Sequence, residues 1–294
     1  MVGCGHVTGG RTLTVMEHPA YSQLRPVTPN AGVVLCPNPS YGALEGTNSW
    51  IIRAEGDPRS IVVDPGPQDE GHLNVLNHHA CEIGLILLTH RHPDHADGAA
   101  RLSQITGASV RSADKHFCKA GGHLVDGEVI TVEGVTPAVK AVATPGHTAD
   151  SVSFFLYPSG EAAHADDGSG AVKPEGIVTG DTIAGKHTTM ISETDGDLGQ
   201  YLATLDMLRQ RGAGVPLLPA HGPDHPDLEP FAQKYLDRRY RRLDQIREAR
   251  QRLGDDISVD QLVDEIYTDV DPVLRGAAQQ STRVALRYLN AQGE

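Results

Sequence analysis

The chain has 294 residues, a hydrophobic fraction of 39% and only 4% aromatic residues, which suits one large globular domain or one domain with a small appendage. No stretch approaches the ~20 consecutive apolar residues of a membrane-spanning helix, and the Gly-rich N-terminus lacks the features of a signal peptide. We therefore expect a cytoplasmic protein with no membrane partner. The formal net charge of −13 argues against a general polyanion binder, although it permits a local basic path or two bound dications.

The hydrophobic pattern predicts an α/β protein with many short strands. Residues 1–32 are poorly patterned and are assigned to an N-terminal extension. Helical spacing is expected over residues 98–106 and again from Leu198 to Leu208, and the Gly-, Ala- and Asp-rich residues 159–175 are interpreted as a mobile surface loop. Short apolar runs bounded by turn residues predict strands, which lie at 49–53, 61–64, 83–88, 108–111, 128–132, 139–143, 152–157, 176–179 and 215–218.

The character of the chain changes after Asp227. Helical spacing covers residues 230–253, and Ser258 with Gln261 forms a capping-box pattern at the start of a helix over 259–267. Asp271-Pro272 opens a further helix that is expected to reach about Leu289. We therefore predict a catalytic domain at residues 33–226, followed by a small helical domain at residues 227–294.

A set of seven His and Asp residues has the composition of a metal-binding site. The set consists of His90, His92, Asp94, His95, His147, Asp181 and His221. Imidazole nitrogens and carboxylate oxygens are good zinc ligands. In an extended segment His90, His92 and Asp94 face one side while His95 turns to the other, which suits two adjacent metals better than one.

The last three members of this set each lie at or just after the end of a short apolar run. In a layered α/β fold, functional loops gather along one edge of the sheets at such positions. The sequence therefore predicts that the seven side chains converge there. Nine other histidines are assigned to ordinary surface or core positions: His6, His18, His72, His78, His79, His116, His123, His164 and His225.

The motif H-x-H-x-D-H, followed by a single His, a single Asp and a last His, resembles the pattern of the metallo-β-lactamase superfamily. The resemblance covers residues 33–222 and implies a four-layer αββα sandwich with a dinuclear site at one edge. It implies that the first metal is bound by His90, His92 and His147, the second by Asp94, His95 and His221, and that Asp181 bridges both. Asp64, in Val63-Asp64-Pro65-Gly66, matches the family's early Asp and supports the ligand loop from behind.

The resemblance also implies the reaction class, which is metal-assisted hydrolysis. Two metal ions ~3.5–4 Å apart lower the pKa of a bridging water, so that hydroxide is present at neutral pH. Asp94 is then both a metal ligand and the catalytic proton handler. Two Zn²⁺ ions per chain are the default expectation, while Mn²⁺ and Fe²⁺ remain open.

The substrate is less clearly indicated than the reaction. Asp181 and the lack of a signal peptide argue against a true β-lactamase. The segment Glu45 to Trp50 and the helical tail resemble one branch, that of the mitochondrial β-lactamase-like endoribonuclease, in which the tail is a winged-helix-type domain. This branch implies cleavage of single-stranded RNA. The candidate RNA path is a group of tail arginines, Arg238, Arg239, Arg241, Arg242, Arg247, Arg250 and Arg252.

Several alternatives remain open at this point. The arginines can instead pair along a solvated helix, for example Asp237 with Arg241 and Glu248 with Arg252. A hydroxyacylglutathione-hydrolase-like thioesterase shares the seven ligands and also has a helical C-terminal region, and a small-molecule ester or lactone hydrolase is a further possibility. A non-enzymatic metal clamp with a DNA-binding tail is disfavoured because structural metal sites are usually closed and mononuclear. The sequence does not predict an oligomeric state.

Overall fold

A computed structural model describes residues 18–268 and 271–294 of the chain. Two β-sheets account for its strands. The first sheet has the order β1-β2-β3-β4-β5-β6, with antiparallel pairing up to β4 and parallel pairing from β4 to β6. Its strands are β1 (Leu24–Thr28), β2 (Ala31–Leu35), β3 (Asn48–Ile52), β4 (Arg59–Val63), β5 (Glu82–Leu87) and β6 (Ser109–Arg111).

The second sheet has the order β11-β10-β9-β8-β7 and is antiparallel except for the β10–β11 pair. Its strands are β7 (Val129–Ile130), β8 (Ala138–Ala143), β9 (Val152–Tyr157), β10 (Gly176–Gly180) and β11 (Leu217–Pro219). All six residues of β9 are buried. A largely apolar, fully buried run of this kind is expected for a strand that is covered on both faces.

Eight α-helices flank the sheets in the described part of the chain. They are α1 (Glu70–His79), α2 (Pro93–Ala96), α3 (Ala99–Thr106), α4 (Gly160–Ala165), α5 (Leu198–Arg211), α6 (Glu229–Leu253), α7 (Val259–Ile266) and α8 (Arg275–Gln292). The helix α5 begins where its N-cap Asp197 accepts from the Gln200 N–H, and α7 begins with the predicted Ser258 capping box.

Three apolar clusters define four layers. Trp50 and Val63 of the first sheet pack against Phe154 and Val178 of the second, which forms the core between the sheets. The outer face of the first sheet is covered by α1 and α3. The outer face of the second sheet is covered by α5 and the tail helices, whose buried residues belong to one cluster. The predicted αββα sandwich with a C-terminal helical region is confirmed.

The structure corrects three sequence-based expectations. Part of the expected extension at 1–32 belongs to the first sheet, because Leu24–Thr28 pairs with β2, while residues 1–17 lie outside the described part. The loop expected at 159–175 contains the helix α4, for which the Ser159 hydroxyl caps the Ala162 N–H. The winged-helix assignment of the tail is not supported, because residues 227–268 and 271–294 form helices with no strand to make a wing.

No helix in the described residues combines the length and the apolar composition that crossing a bilayer requires.

Candidate metal centre

The seven predicted ligand residues converge at one edge of the sandwich. His90 and His92 follow β5, Asp94 and His95 lie on the short helix α2, and the other three follow β8, β10 and β11. Their ligand atoms form two groups, each within 4.8 Å. The first group is His90, His92, His147 and Asp181, and the second is Asp94, His95 and His221.

The three imidazoles of the first group form a triangle of nitrogen atoms. His90 Nε2 lies 2.9 Å from His92 Nδ1, and His147 Nε2 lies 3.3 Å and 3.1 Å from these two atoms. In the second group, Asp94 Oδ2 lies 3.3 Å from His221 Nε2 and 3.7 Å from His95 Nε2. Each group therefore has its own convergent donor atoms.

Asp181 lies between the two groups. Its Oδ1 is 3.2 Å from His221 Nε2 and 3.5 Å from His95 Nε2, while its Oδ2 is 3.7 Å from His147 Nε2. One carboxylate oxygen thus faces each group, which is the arrangement that a bridging ligand requires.

Two buried polar atoms without hydrogen-bond partners indicate, independently of family resemblance, that the donor set fits divalent cations. His95 Nε2 and Asp181 Oδ1 are buried and have no hydrogen-bond partner among the described residues. Buried polar atoms without partners are costly and rare in native proteins. Converging imidazoles and carboxylates at these distances would have their lone pairs satisfied by metal ions.

Hydrogen bonds from behind orient the ligand imidazoles. Asp64 accepts from the backbone N–H of Thr89 at 2.8 Å and from its hydroxyl at 2.6 Å, and Asp64 Oδ2 also accepts from His95 Nδ1 at 2.8 Å. His147 Nδ1 donates to the Met190 carbonyl at 2.5 Å. His221 Nδ1 donates to the Gly46 carbonyl at 3.1 Å. In these three histidines the Nε2 atom is therefore left to face the centre.

The electrostatics of the two groups differ. Burial lowers the pKa of His90 and His147, which favours the neutral imidazoles that bind metals. Burial also opposes charge on His221, but the Asp181 carboxylate outweighs it and raises the pKa of His221 to about 9. The imidazoles of His221 and His95 in turn overcome the effect of burial on Asp181 and hold its pKa well below the usual range.

Gly146 allows the turn before His147 to pack closely against α5. Gly146 has a φ of 137°, and a Cβ atom at this position would lie 2.4 Å from the Tyr201 Cα at the start of α5. The preceding carbonyl, of Pro145, accepts from the Thr204 hydroxyl at 2.8 Å. The turn that presents His147 is therefore packed directly on α5.

Sequence reasoning missed the residues that hold the segment 182–191. Tyr235 of α6 contacts the backbone of Ala184 and His187, and the Arg239 guanidinium donates to the Thr189 carbonyl. Gln280 of α8 donates to the Ile191 carbonyl at 2.8 Å. Backbone carbonyls such as that of Met190 leave no mark in a sequence, whereas Thr89, next to His90, could have been found.

Most of the candidate tail arginines are engaged within the chain. Arg239 and Arg242 are engaged with Tyr201 and Tyr267, whose rings lie 5.1 Å and 3.7 Å from the guanidinium carbons. Arg247, Arg250 and Arg252 pair with acidic groups of the same chain. The expected Asp237–Arg241 and Glu248–Arg252 pairs are absent from the described residues, where Asp237 instead accepts from Gln233.

Comparison with known proteins extends these observations. The atrochrysone carboxyl ACP thioesterase of Claviceps purpurea is 31% identical over 261 residues, which is 85% of this chain and 76% of the relative. The protein of the same name from Aspergillus fumigatus is 30% identical over 228 residues, 75% of this chain. This chain matches 64% of that relative's length.

Solved structures agree on the fold. A β-lactamase domain protein from Burkholderia ambifaria superimposes with a TM-score of 0.74 at 18% identity, over 96% of this chain and 92% of that chain. A metallo-β-lactamase family protein from Thermus thermophilus gives 0.67 at 20% identity, over 90% and 94%. The profile of the metallo-beta-lactamase superfamily matches residues 42–221, which include all seven ligand candidates. The chain belongs to the metallo-β-lactamase superfamily.

Proposed function

We propose that this hydrolase is a metal-dependent thioesterase that cleaves acyl thioesters. The observation that carries the proposal is the similarity to curated thioesterases, at 30–31% identity over 75–85% of the chain. The sequence had favoured the endoribonuclease branch and kept the thioesterase as the alternative. The comparisons do not support the endoribonuclease branch and favour the alternative.

The candidate centre has the chemistry that thioester hydrolysis needs. Two divalent metal ions held by the seven residues would supply a nucleophilic oxygen at neutral pH and polarise the substrate carbonyl. The water oxygen bonds to the carbonyl carbon, the carbon–sulfur bond breaks, and the products are a carboxylic acid and a thiol.

Asp94 is the residue that we assign to proton handling. Its side chain is 36% exposed, so it is reached from the solvent side. Burial would raise the pKa of Asp94, but the hydrogen bond from His221 and the neighbouring His95 keep the pKa below its usual value. The carboxylate is therefore ionised at neutral pH and can accept the proton that the water loses.

The surroundings of the centre favour an acyl substrate over RNA. Exposed apolar side chains lie on two loops that support metal-ligand histidines: Met190, 44% exposed, on one and Tyr41, 68% exposed, on the other. We assign these side chains to contacts with the carbon chain of an acyl group. The RNA path expected from the sequence is largely lost, because five of its seven arginines are engaged within the chain.

The test compares three substrates. Purified protein is loaded with Zn²⁺ or Mn²⁺ and given octanoyl-N-acetylcysteamine, S-lactoylglutathione or single-stranded RNA, with and without a chelator. We expect turnover of a thioester that is lost with chelator and in Asp94→Ala. Asp97→Asn, an exposed neighbour on the same segment, is the matched control and should keep its activity. Cleavage of RNA with both thioesters inert would overturn the proposal.

A further inference from the structure

Four exposed cations lie on α6 and on the loop that it supports. Lys234, Arg238 and Arg241 have the i, i+4, i+7 spacing of a single helix stripe, and Lys186 lies on the loop that precedes Met190. All four are exposed, and none forms a salt bridge within residues 18–268 and 271–294. We call these four residues the α6 cationic surface.

One end of this surface, at Lys186, lies next to the residues around His221. Lys186 follows Gly185, whose N–H donates to the His221 carbonyl at 2.8 Å. The Lys186 backbone nitrogen lies 3.3 Å from the position of a Cβ on Gly222, the residue after His221. Tyr235, the neighbour of Lys234 on α6, contacts the backbone of Ala184 and His187 on either side of Lys186. The loop that carries Lys186 therefore adjoins the centre, and Tyr235 joins the part of α6 that carries Lys234 to this loop.

The cations at the two ends of α6 differ in whether they have acidic partners. At the far end of the helix, Arg247 and Arg252 are paired with Glu294 and Glu265. At the end near the metal centre, the stripe has three cations and one interspersed carboxylate, Asp237, which accepts from Gln233. The cations lack salt-bridge partners within the described residues, although the chain as a whole carries a net charge of −13. A local positive field on an acidic protein steers a negatively charged partner to that place.

We propose that the α6 cationic surface docks an acidic carrier protein that delivers the acyl thioester on its flexible arm. The inference rests on the proposed thioesterase function and adds the partner and its binding surface. A carrier-bound thioester must be brought within reach of the centre, so its turnover depends on protein–protein contact. A small thioester reaches the same centre by diffusion and has no need of this surface.

The test reverses the charges of the stripe. The variant Lys234→Glu/Arg238→Glu/Arg241→Glu is compared with the wild-type protein on octanoyl groups carried by an acidic acyl carrier protein or by N-acetylcysteamine. Arg53→Glu, which follows β3 at the opposite end from the metal centre, is the control. We expect kcat/KM for the carrier-bound substrate to fall at least tenfold, within the 10–10³ range of electrostatic steering. The value for the small thioester and both values for Arg53→Glu should stay within twofold.

Added salt should lower the wild-type kcat/KM for the carrier-bound substrate and have little effect on the variant. Equal loss on both substrates, or no loss on either, would overturn the docking inference while leaving the thioesterase proposal intact. Stronger inhibition of the wild-type protein by single-stranded RNA than by unloaded carrier protein would assign the surface to RNA and also overturn it. A wild-type protein that is loaded with metal and hydrolyses neither thioester would overturn both proposals.

Discussion

Asp64 holds the His95 imidazole from behind, with its Oδ2 accepting from His95 Nδ1 at 2.8 Å. Both side chains are buried, at 1% and 0% exposure. Asp64 itself has a φ of 51°, a left-handed conformation that is uncommon for residues other than glycine. The same carboxylate also accepts a hydrogen bond from the backbone N–H of Thr89. One side chain therefore sets the positions of both His95 and the start of the ligand loop.

Asp64→Asn should weaken the second metal site in particular. An amide has one oxygen, so it cannot accept from both the Thr89 N–H and His95 Nδ1 through separate oxygens, as the carboxylate does. We expect the affinity for the second metal to fall by roughly 10–100-fold, as is typical of residues that orient metal ligands. Metal titration followed by elemental analysis measures this. Unchanged affinity for both metals would contradict the role given to Asp64.

Arg239→Met should disturb the metal centre from a distance. Arg239 donates to the Thr189 carbonyl, the Thr189 hydroxyl donates to the Asp181 carbonyl at 2.5 Å, and the adjacent Met190 carbonyl accepts from His147. Loss of this tie should lower kcat by about tenfold, because small misplacements of catalytic groups are costly. KM should also rise, because Met190, which we assign to contacts with the acyl group, lies on the segment that this hydrogen bond holds.

Hydrogen exchange distinguishes this positioning role from a general loss of stability. Amides at 182–191 should exchange faster in Arg239→Met, while those of the first sheet stay protected. Arg239→Lys keeps a donor for the Thr189 carbonyl and should recover part of the activity. Arg247→Met, which removes an ion pair at the far end of α6, is the control and should leave kcat unchanged.

The sequence predicted the fold and the seven ligand candidates because both are encoded locally. A run such as Ile83 to Leu88 indicates a doubly covered strand by its composition alone, and H-x-H-x-D-H compresses four ligands into six residues. Asp181 and His221 are isolated, yet each follows an apolar run that predicts a strand end. Local pattern and tertiary position agree at these sites.

The role of the tail could not be predicted in the same way. Arg239 and Tyr235 act on backbone carbonyls of a segment about 50 residues away, and a carbonyl has no residue identity that a sequence pattern can register. The sequence therefore predicts a basic path from the tail arginines, whereas most of them contact aromatic rings or acidic groups of the same chain. The winged-helix expectation is not confirmed for a related reason, since helical periodicity specifies helices but not their arrangement.

Asp181→Ala should reduce metal binding at both sites. The Asp181 oxygens face both donor groups, with Oδ1 near His95 and His221 and Oδ2 near His147. We expect the wild-type protein to bind two divalent ions per chain and the variant to bind at most one tightly, with activity lost. Elemental analysis after gel filtration gives the stoichiometry. Two tightly bound ions in the variant would exclude a bridging role for Asp181.

His72 should make the protein acid-sensitive before most of its carboxylates titrate. The Ser49 hydroxyl donates its one hydrogen to the Asp64 carbonyl, at 2.6 Å. Toward His72 it can therefore only accept, so His72 Nε2–H donates to the Ser49 oxygen, 2.8 Å away. His72 is 3% exposed, and burial lowers its pKa from 6.5 to about 4. The imidazole is therefore neutral in the folded protein and takes up a proton more readily in the unfolded chain.

Because the folded-state pKa is the lower one, the unfolded chain binds more protons between pH 6.5 and pH 4, and the free energy of unfolding must decrease as pH falls through that window. The full effect is about 3 kcal/mol, from 1.36 kcal/mol per pKa unit. Urea unfolding of wild-type protein and His72→Gln at pH 7, 5.5 and 4.5 measures it. Glutamine keeps a donor near Ser49 but has no titrating ring. As pH falls, the free energy of unfolding should therefore decrease more in the wild-type protein than in the variant. Parallel stability curves from pH 7 to 4.5 would show that His72 is not the group responsible.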